Sequence, residues 1–149
     1  MKLVVNGETT LYGIVGNPVH HSFSPEMQTL ALQSSGINSV YLPFPITDSD
    51  FSAVLKAFEI IGVKGFNVTV PYKERIVDCL SELSAEAKFI GAVNTVLKTD
   101  SGWKGYSTDG SGFIRSLEAS DISVRGKTVL MLGAGGAAKA IAYALAEHK

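Results

Sequence analysis

Leu11-Tyr12-Gly13-Ile14-Val15-Gly16-Asn17-Pro18, followed within one loop by Ser24-Pro25-Glu26-Met27-Gln28-Thr29-Leu30-Ala31, decides how the chain is read. The first stretch is an apolar run short enough for a buried strand, and Gly16-Asn17-Pro18 stops it with a turn. The second opens with a hydroxyl residue and then proline, the order of an N-cap and a first helical position. Met27, Leu30, Ala31 and Ser34 then recur at helical spacing until Gly36. Strand, turn and helix follow one another here, and the unit repeats.

Val40 to Phe44 reads as a second strand. Asp48-Ser49 opens a helix whose Phe51, Val54, Leu55 and Phe58 form one apolar stripe ending near Gly62. Phe66 to Val70 is a third strand, stopped by Pro71, and a short helix carries Ile76, Val77 and Leu80. Ala92 to Leu97 and Trp103 to Tyr106, joined through Thr99-Asp100-Ser101-Gly102, read as an added hairpin, and a helix from about Gly110 to Ala119 has Asp109 as its N-cap. This predicts an α/β domain over residues 1–120, an open, mostly parallel sheet with helices on both faces. Such sheets bind ligands beyond the carboxyl ends of their strands.

Ser120 to Gly126 is a polar connection, and we place a domain boundary in it. Lys127 to Leu132 has the pattern of a buried strand and runs into Gly133-Ala134-Gly135-Gly136-Ala137-Ala138 and an Ala-rich helix. Strand, Gly-x-Gly-x-x-Ala, helix is the dinucleotide-binding fingerprint. Gly133 makes the tight turn, Gly135 lets a pyrophosphate approach the backbone, and Ala138 lets helix and strand pack closely, while the free N–H groups of the helix meet the phosphate. Residues 121–149 are thus expected to begin a Rossmann-type domain without completing it. The side chain that separates NAD from NADP belongs about 20 residues past the glycines, beyond Lys149.

Composition narrows the function. The 149 residues are 46% hydrophobic and 18% charged, as in ordinary globular domains. Thirteen Lys and Arg against 14 Asp and Glu leave a net charge of −1, too little to steer a nucleic acid or an anionic membrane. No apolar run reaches the roughly 20 residues that span a bilayer, and no basic-then-apolar leader opens the chain, so a cytoplasmic protein acting on small molecules is expected. The single cysteine, Cys79, rules out an intrachain disulfide and is expected to be a buried small hydrophobe. His20 and His21 lack a second cluster of ligands, so they are read as loop or packing residues, and no metal is expected.

Polar residues gather at the predicted strand ends. Ser22 and Ser24 flank the first turn, where hydroxyls and helix N–H groups suit a carboxylate without an Arg. Asn67 and Thr69 share one face of the third strand, with Lys73 just beyond it. Asn94 and Asp109 add an amide and a carboxylate beside the hairpin strands. Each alone reads as a cap, turn or solvated charge; their joint presence points to a ligand.

Gly-Asn-Pro-Val-His-His-Ser-Phe-Ser-Pro (16–25), Asn-Val-Thr-Val-Pro-Tyr-Lys (67–73), Gly-Ala-Val-Asn-Thr (91–95), Ser-Thr-Asp-Gly (107–110) and Gly-Ala-Gly-Gly-Ala-Ala (133–138) follow one another as in shikimate dehydrogenases. Over nearly its whole length the chain resembles that family's N-terminal catalytic domain and the opening of its NADP domain. The resemblance implies NADPH-dependent reversible reduction of 3-dehydroshikimate to shikimate on the route to chorismate and the aromatic amino acids. It implies Ser22 and Ser24 on the substrate carboxylate, Thr69, Asn94 and Asp109 on ring hydroxyls, Asn67 lining the site, and Lys73 with Asp109 serving proton transfer. Gly133, Ala134, Gly135, Gly136 and Ala137 would bind the cofactor. Ser107 departs from the family, which usually has Asn there. A quinate/shikimate dehydrogenase subtype and a substrate-binding module without catalysis are the alternatives, and a homodimer is left open. The 149 residues read as a truncated chain, expected to bind shikimate weakly and to have no measurable NADP-dependent oxidation of it.

Overall fold

The computed structural model of the chain describes residues 5–148. The outermost ends of the two expected domains, residues 1–4 and Lys149, therefore lie outside the described residues. Among the described residues, six strands form one sheet: β1 (Thr10–Gly16), β2 (Ser39–Pro45), β3 (Gly65–Val68), β4 (Glu82–Leu83), β5 (Thr95–Thr99) and β6 (Gly102–Tyr106), in the order β2-β1-β3-β5-β6-β4. The helices are α1 (Ser24–Ser34), α2 (Val54–Ile60), α3 (Ala85–Ile90), α4 (Asp109–Glu118) and α5 (Gly136–Glu147). Among the described residues, no helix is long and apolar enough to cross a membrane.

β1 pairs in parallel with β2 and β3, as strands joined through helices must, with Tyr12 opposite Tyr41 and Ile14 opposite Asn67. The hairpin β5–β6 then enters with β5 antiparallel to β3, Asn67 opposite Thr95. A strand that runs the other way brings its amino end to the edge where β1, β3 and β6 bring their carboxyl ends. The core lies on the face away from α1, where Phe58 meets Phe66 edge-on at 5.0 Å and Phe66 meets Trp103 at 5.3 Å, over Val63, Val68 and Ile76. Edge-to-face contacts suit the ring quadrupoles.

Several expectations are corrected. Ser24 is the first residue of α1 rather than its cap, because Phe23 in helical conformation precedes it; Asp109 likewise opens α4 behind Thr108. α1 buries no residue fully: Met27 and Leu30 are exposed, and Thr29 Oγ1 accepts the Tyr41 N–H at 3.2 Å. The second helix opens as a 3-10 turn at Phe51–Ala53, and Ile76 and Val77 lie in another 3-10 turn, Arg75–Cys79. That turn directs Cys79 outward, so it is exposed, not buried. The third strand ends at Val68, and the fifth begins at Thr95 instead of Ala92. β4 and α3 are additions that the sequence reading passed over.

Lys127 to Leu132 does not form a strand. It pairs with no strand among the described residues, and Leu130 and Leu132 are 85% and 90% exposed. A strand is stable only with neighbours to take its backbone hydrogen bonds. α5 nonetheless has a partner, since Ala140 and Ala144 dock on α3 and α4 through small residues. A Cβ on Gly110 would lie 2.5 Å from the Ala140 carbonyl oxygen and 2.8 Å from the Ala144 Cβ. α4 and α5 touch backbone to backbone because residue 110 is glycine.

Candidate active site

Five segments arrive at one edge of the sheet. Val15 O accepts the Thr69 N–H at 2.9 Å and Val70 O accepts the Asn17 N–H at 2.9 Å, which stitches the loop after β1 to the loop after β3. In the first loop Ser22 donates its N–H to Val19 O at 3.1 Å, and its hydroxyl accepts the Ser24 N–H at 3.2 Å. This hydrogen bond holds the two serines in one turn, both half-buried at the start of α1. A carboxylate there would meet two hydroxyls and the Glu26 N–H, since Pro25 has no N–H and that of Ser24 is given to Ser22.

Lys73 leaves the loop after β3, with its carbonyl accepting the Val93 N–H at 2.8 Å. Its Nζ lies 2.5 Å from Asp109 Oδ2, although 36 positions separate them. The side chains are 17% and 26% exposed, so the pair is largely shielded from bulk solvent, and Lys73 lines a cavity. Asn94 Nδ2 donates to Asp109 Oδ1 at 2.9 Å, which occupies the other carboxylate oxygen. Asn94 Oδ1 accepts the Thr108 N–H at 2.8 Å, which settles which way the amide points. Asp109 is thereby fixed from two sides, while the remaining Lys73 N–H groups have no partner among the described residues. Ammonium, carboxylate and amide together can hold a hydroxyl or carbonyl oxygen and pass it a proton.

Asn67 differs from these. Both of its amide hydrogens are donated inward, to Asn94 O and Thr95 Oγ1, each at 3.0 Å, and its Oδ1 accepts the Tyr41 hydroxyl at 2.7 Å. It can offer a ligand only the remaining acceptor capacity of Oδ1. No hydrogen bond joins the serine turn to the Lys73–Asp109–Asn94 group among the described residues. Three side chains of this network were passed over in the sequence: Tyr41, Thr95 and Thr108. Thr95 and Thr108 adjoin Asn94 and Asp109, which is a usable signal; Tyr41 looks like any strand aromatic. Ser107 is 5% exposed, so the residue that departs from the family pattern is buried beneath this edge.

The glycine turn faces the same cleft. Gly133 has φ +119°, a conformation that side chains rarely adopt, and nothing would meet a Cβ on Gly135, so the approach to the backbone is open. No side chain caps α5, which leaves its first N–H groups available to an anion. A cavity of about 380 Å³ has Lys73 and Glu74 on one side and Gly135, Gly136, Ala137 and Ala138 on the other. Lys139 and Glu74 pair across it at 2.6 Å, and a Cβ on Gly136 would stand 3.1 Å from the Lys73 Cβ. These residues fit a dinucleotide: the uncapped start of α5 would hold its pyrophosphate, and Lys73 lines the same cavity.

The known proteins agree in extent. Residues 14–96 match the model of the shikimate dehydrogenase substrate binding domain. A shikimate dehydrogenase (NADP(+)) of Carboxydothermus hydrogenoformans is 45% identical over 141 residues, 95% of this chain and 50% of its own length. The crystal structure of shikimate dehydrogenase from Aquifex aeolicus superposes with a TM-score of 0.93 at 43% identity, covering 97% of this chain and 55% of that one. Shikimate 5-dehydrogenase from Thermus thermophilus, in complex with NADP(H) and shikimate, superposes with a TM-score of 0.87 at 39% identity, covering 93% and 52%. The chain thus spans about half the length of the curated relatives it matches.

Proposed function

Because this chain belongs to the shikimate dehydrogenase family through its substrate-binding domain, we propose that it carries the shikimate site and acid–base pair of an NADP-dependent shikimate dehydrogenase. The reaction is the reversible reduction of 3-dehydroshikimate to shikimate. One observation carries the reading: Lys73, 2.5 Å from Asp109 at the sheet edge, lines one cavity with the glycine turn.

Ser22 and Ser24 receive the substrate carboxylate, which orients the ring. Thr69, Asn94 and Asp109 take its hydroxyls, and Asn67 supports Asn94 from beneath. A nicotinamide, when bound, would supply the hydride for reduction of the ring ketone. As charge builds on the ketone oxygen, Lys73 donates a proton to it, and in the oxidative direction Lys73 accepts the proton from the hydroxyl. Asp109 holds the Lys73 amine toward that oxygen and is itself held by Asn94. Gly133 to Ala137 receive the pyrophosphate at the start of α5. A single cysteine, Cys79, forms no intrachain disulfide and so accords with a reducing, cytoplasmic setting.

Calorimetric titration of the purified chain with shikimate tests the reading. Saturable heat is expected from the native chain, and a strong reduction from Asp109→Ala, which removes both the hydroxyl partner and the anchor of Lys73. Absence of any saturable signal from the native chain would sink it.

A further inference from the structure

Tyr41 in β2 is 5% exposed, and three separate contacts converge on it. Its ring lies across from Tyr12 of β1 and belongs to one buried cluster with Ile14 and Val19. Val19 supplies the carbonyl that accepts the Ser22 N–H at 3.1 Å, so the cluster that holds the ring also holds the residue from which the serine turn hangs. Its hydroxyl donates to Asn67 Oδ1 at 2.7 Å, and Asn67 in turn donates to Asn94 O and Thr95 Oγ1, each at 3.0 Å. Its N–H donates to Thr29 Oγ1 of α1 at 3.2 Å. Tyr41, Asn67, Thr95 and Thr108 line a cavity of about 450 Å³ with Gln28 and Leu32 of α1.

The chemistry of these groups leaves one arrangement. A carbonyl oxygen of an amide can only accept, so the Tyr41 hydroxyl must donate to Asn67 Oδ1. Turning the Asn67 amide over would set its oxygen against the Asn94 carbonyl, two acceptors face to face. The phenol therefore helps to lock Asn67, Asn67 locks the Asn94 main chain, and Asn94 holds Asp109 through its own amide.

We propose that Tyr41 is a positioning residue that joins the two halves of the site. Its ring sets the Val19–Ser22 turn that receives a carboxylate, and its hydroxyl sets Asn67 and Asn94 on the side that receives ring hydroxyls. The proposal rests on the reading of this edge as a shikimate site.

The two roles separate by ligand. Shikimate uses both halves; cyclohex-1-ene-1-carboxylate has the carboxylate and the ring but no hydroxyls. Tyr41→Phe keeps the ring and removes the donor, so shikimate affinity should fall about fivefold to tenfold while affinity for the bare carboxylate stays unchanged. Tyr41→Leu also takes the ring out of the cluster with Ile14 and Val19 and should weaken both ligands. Without ligand, the side-chain amide resonances of Asn67 and Asn94 should move in Tyr41→Phe. A general loss of structure lowers both affinities together, so equal losses in Tyr41→Phe overturn the proposal, as does an unchanged affinity for shikimate. Should the native chain bind neither ligand, the shikimate reading falls by itself; unmoved amide resonances in Tyr41→Phe then overturn the positioning role as well. If Tyr41→Leu does not fold, Tyr41→Phe decides alone.

Discussion

Ser22 and Ser24 stand in one turn at the start of α1. Replacing either with Ala removes a hydrogen bond to a carboxylate, worth roughly 1.5 to 3 kcal/mol, and shikimate affinity should drop about tenfold or more. Calorimetry that found both variants unchanged would move the carboxylate elsewhere. The tyrosines make a prediction of a different kind. Burial pushes the Tyr41 phenol well above its ordinary value of 10.0, against a smaller opposing effect from Asn67. Burial first, and the Asp48 carboxylate second, push Tyr72 in the same direction. A raised folded value means stability that is present below pH 10.0 and lost as pH climbs above it, because only the unfolded chain then releases the proton. Alkaline unfolding should therefore begin near pH 10.0 and become less steep in Tyr41→Phe; an identical alkaline profile would contradict the burial. Lys73, Asp109 and Asn94 could be singled out in the sequence because polar residues at strand ends are conspicuous. Tyr41 could not, since a strand aromatic gives no sign of where its hydroxyl will end.

α4 and α5 lean on each other at Gly110, where a Cβ would press on the Ala140 carbonyl and the Ala144 methyl. Two residues further along α4, nothing lies within 4 Å of a Cβ on Gly112. The same substitution should thus have opposite signs. Gly110→Ala should destabilise by about 1 to 3 kcal/mol through forced separation of the helices. Gly112→Ala should stabilise by about 0.5 to 1 kcal/mol through helix propensity. Denaturant melts of the two variants compare them, and a stable Gly110→Ala would show that the helices do not pack this closely. At this scale β1, β2 and β6 were legible to within a residue or two, since short apolar runs flanked by turns have few other readings. α3 was missed although Ser84 caps it, accepting the Ala87 N–H at 3.1 Å, and Gly91 ends it at φ 69°. Its six residues are too few for a helical period to emerge. Lys127 to Leu132 failed the other way: its apolar pattern is that of a strand, but pattern cannot supply a neighbouring strand.

The cleft has one wall from the sheet edge and one from the turn that opens α5. A polypeptide of these 149 residues is expected to bind shikimate weakly and to show no measurable NADP-dependent oxidation of it. Hydride transfer needs seats for both the adenosine and the nicotinamide ends of the cofactor, and among the described residues only the pyrophosphate turn is of that kind. Turnover by that polypeptide at a rate near that of a full-length shikimate dehydrogenase would refute this. The order β2-β1-β3-β5-β6-β4 also bears on time. α4 and α5 are built from neighbours in the chain and can form within about a microsecond. Lys73 finds Asp109 only after a loop of 36 residues has closed and β5 has slotted between β3 and β6. In stopped-flow refolding, helical ellipticity should accordingly recover ahead of shikimate binding, the chain regaining its shape before it regains its ligand.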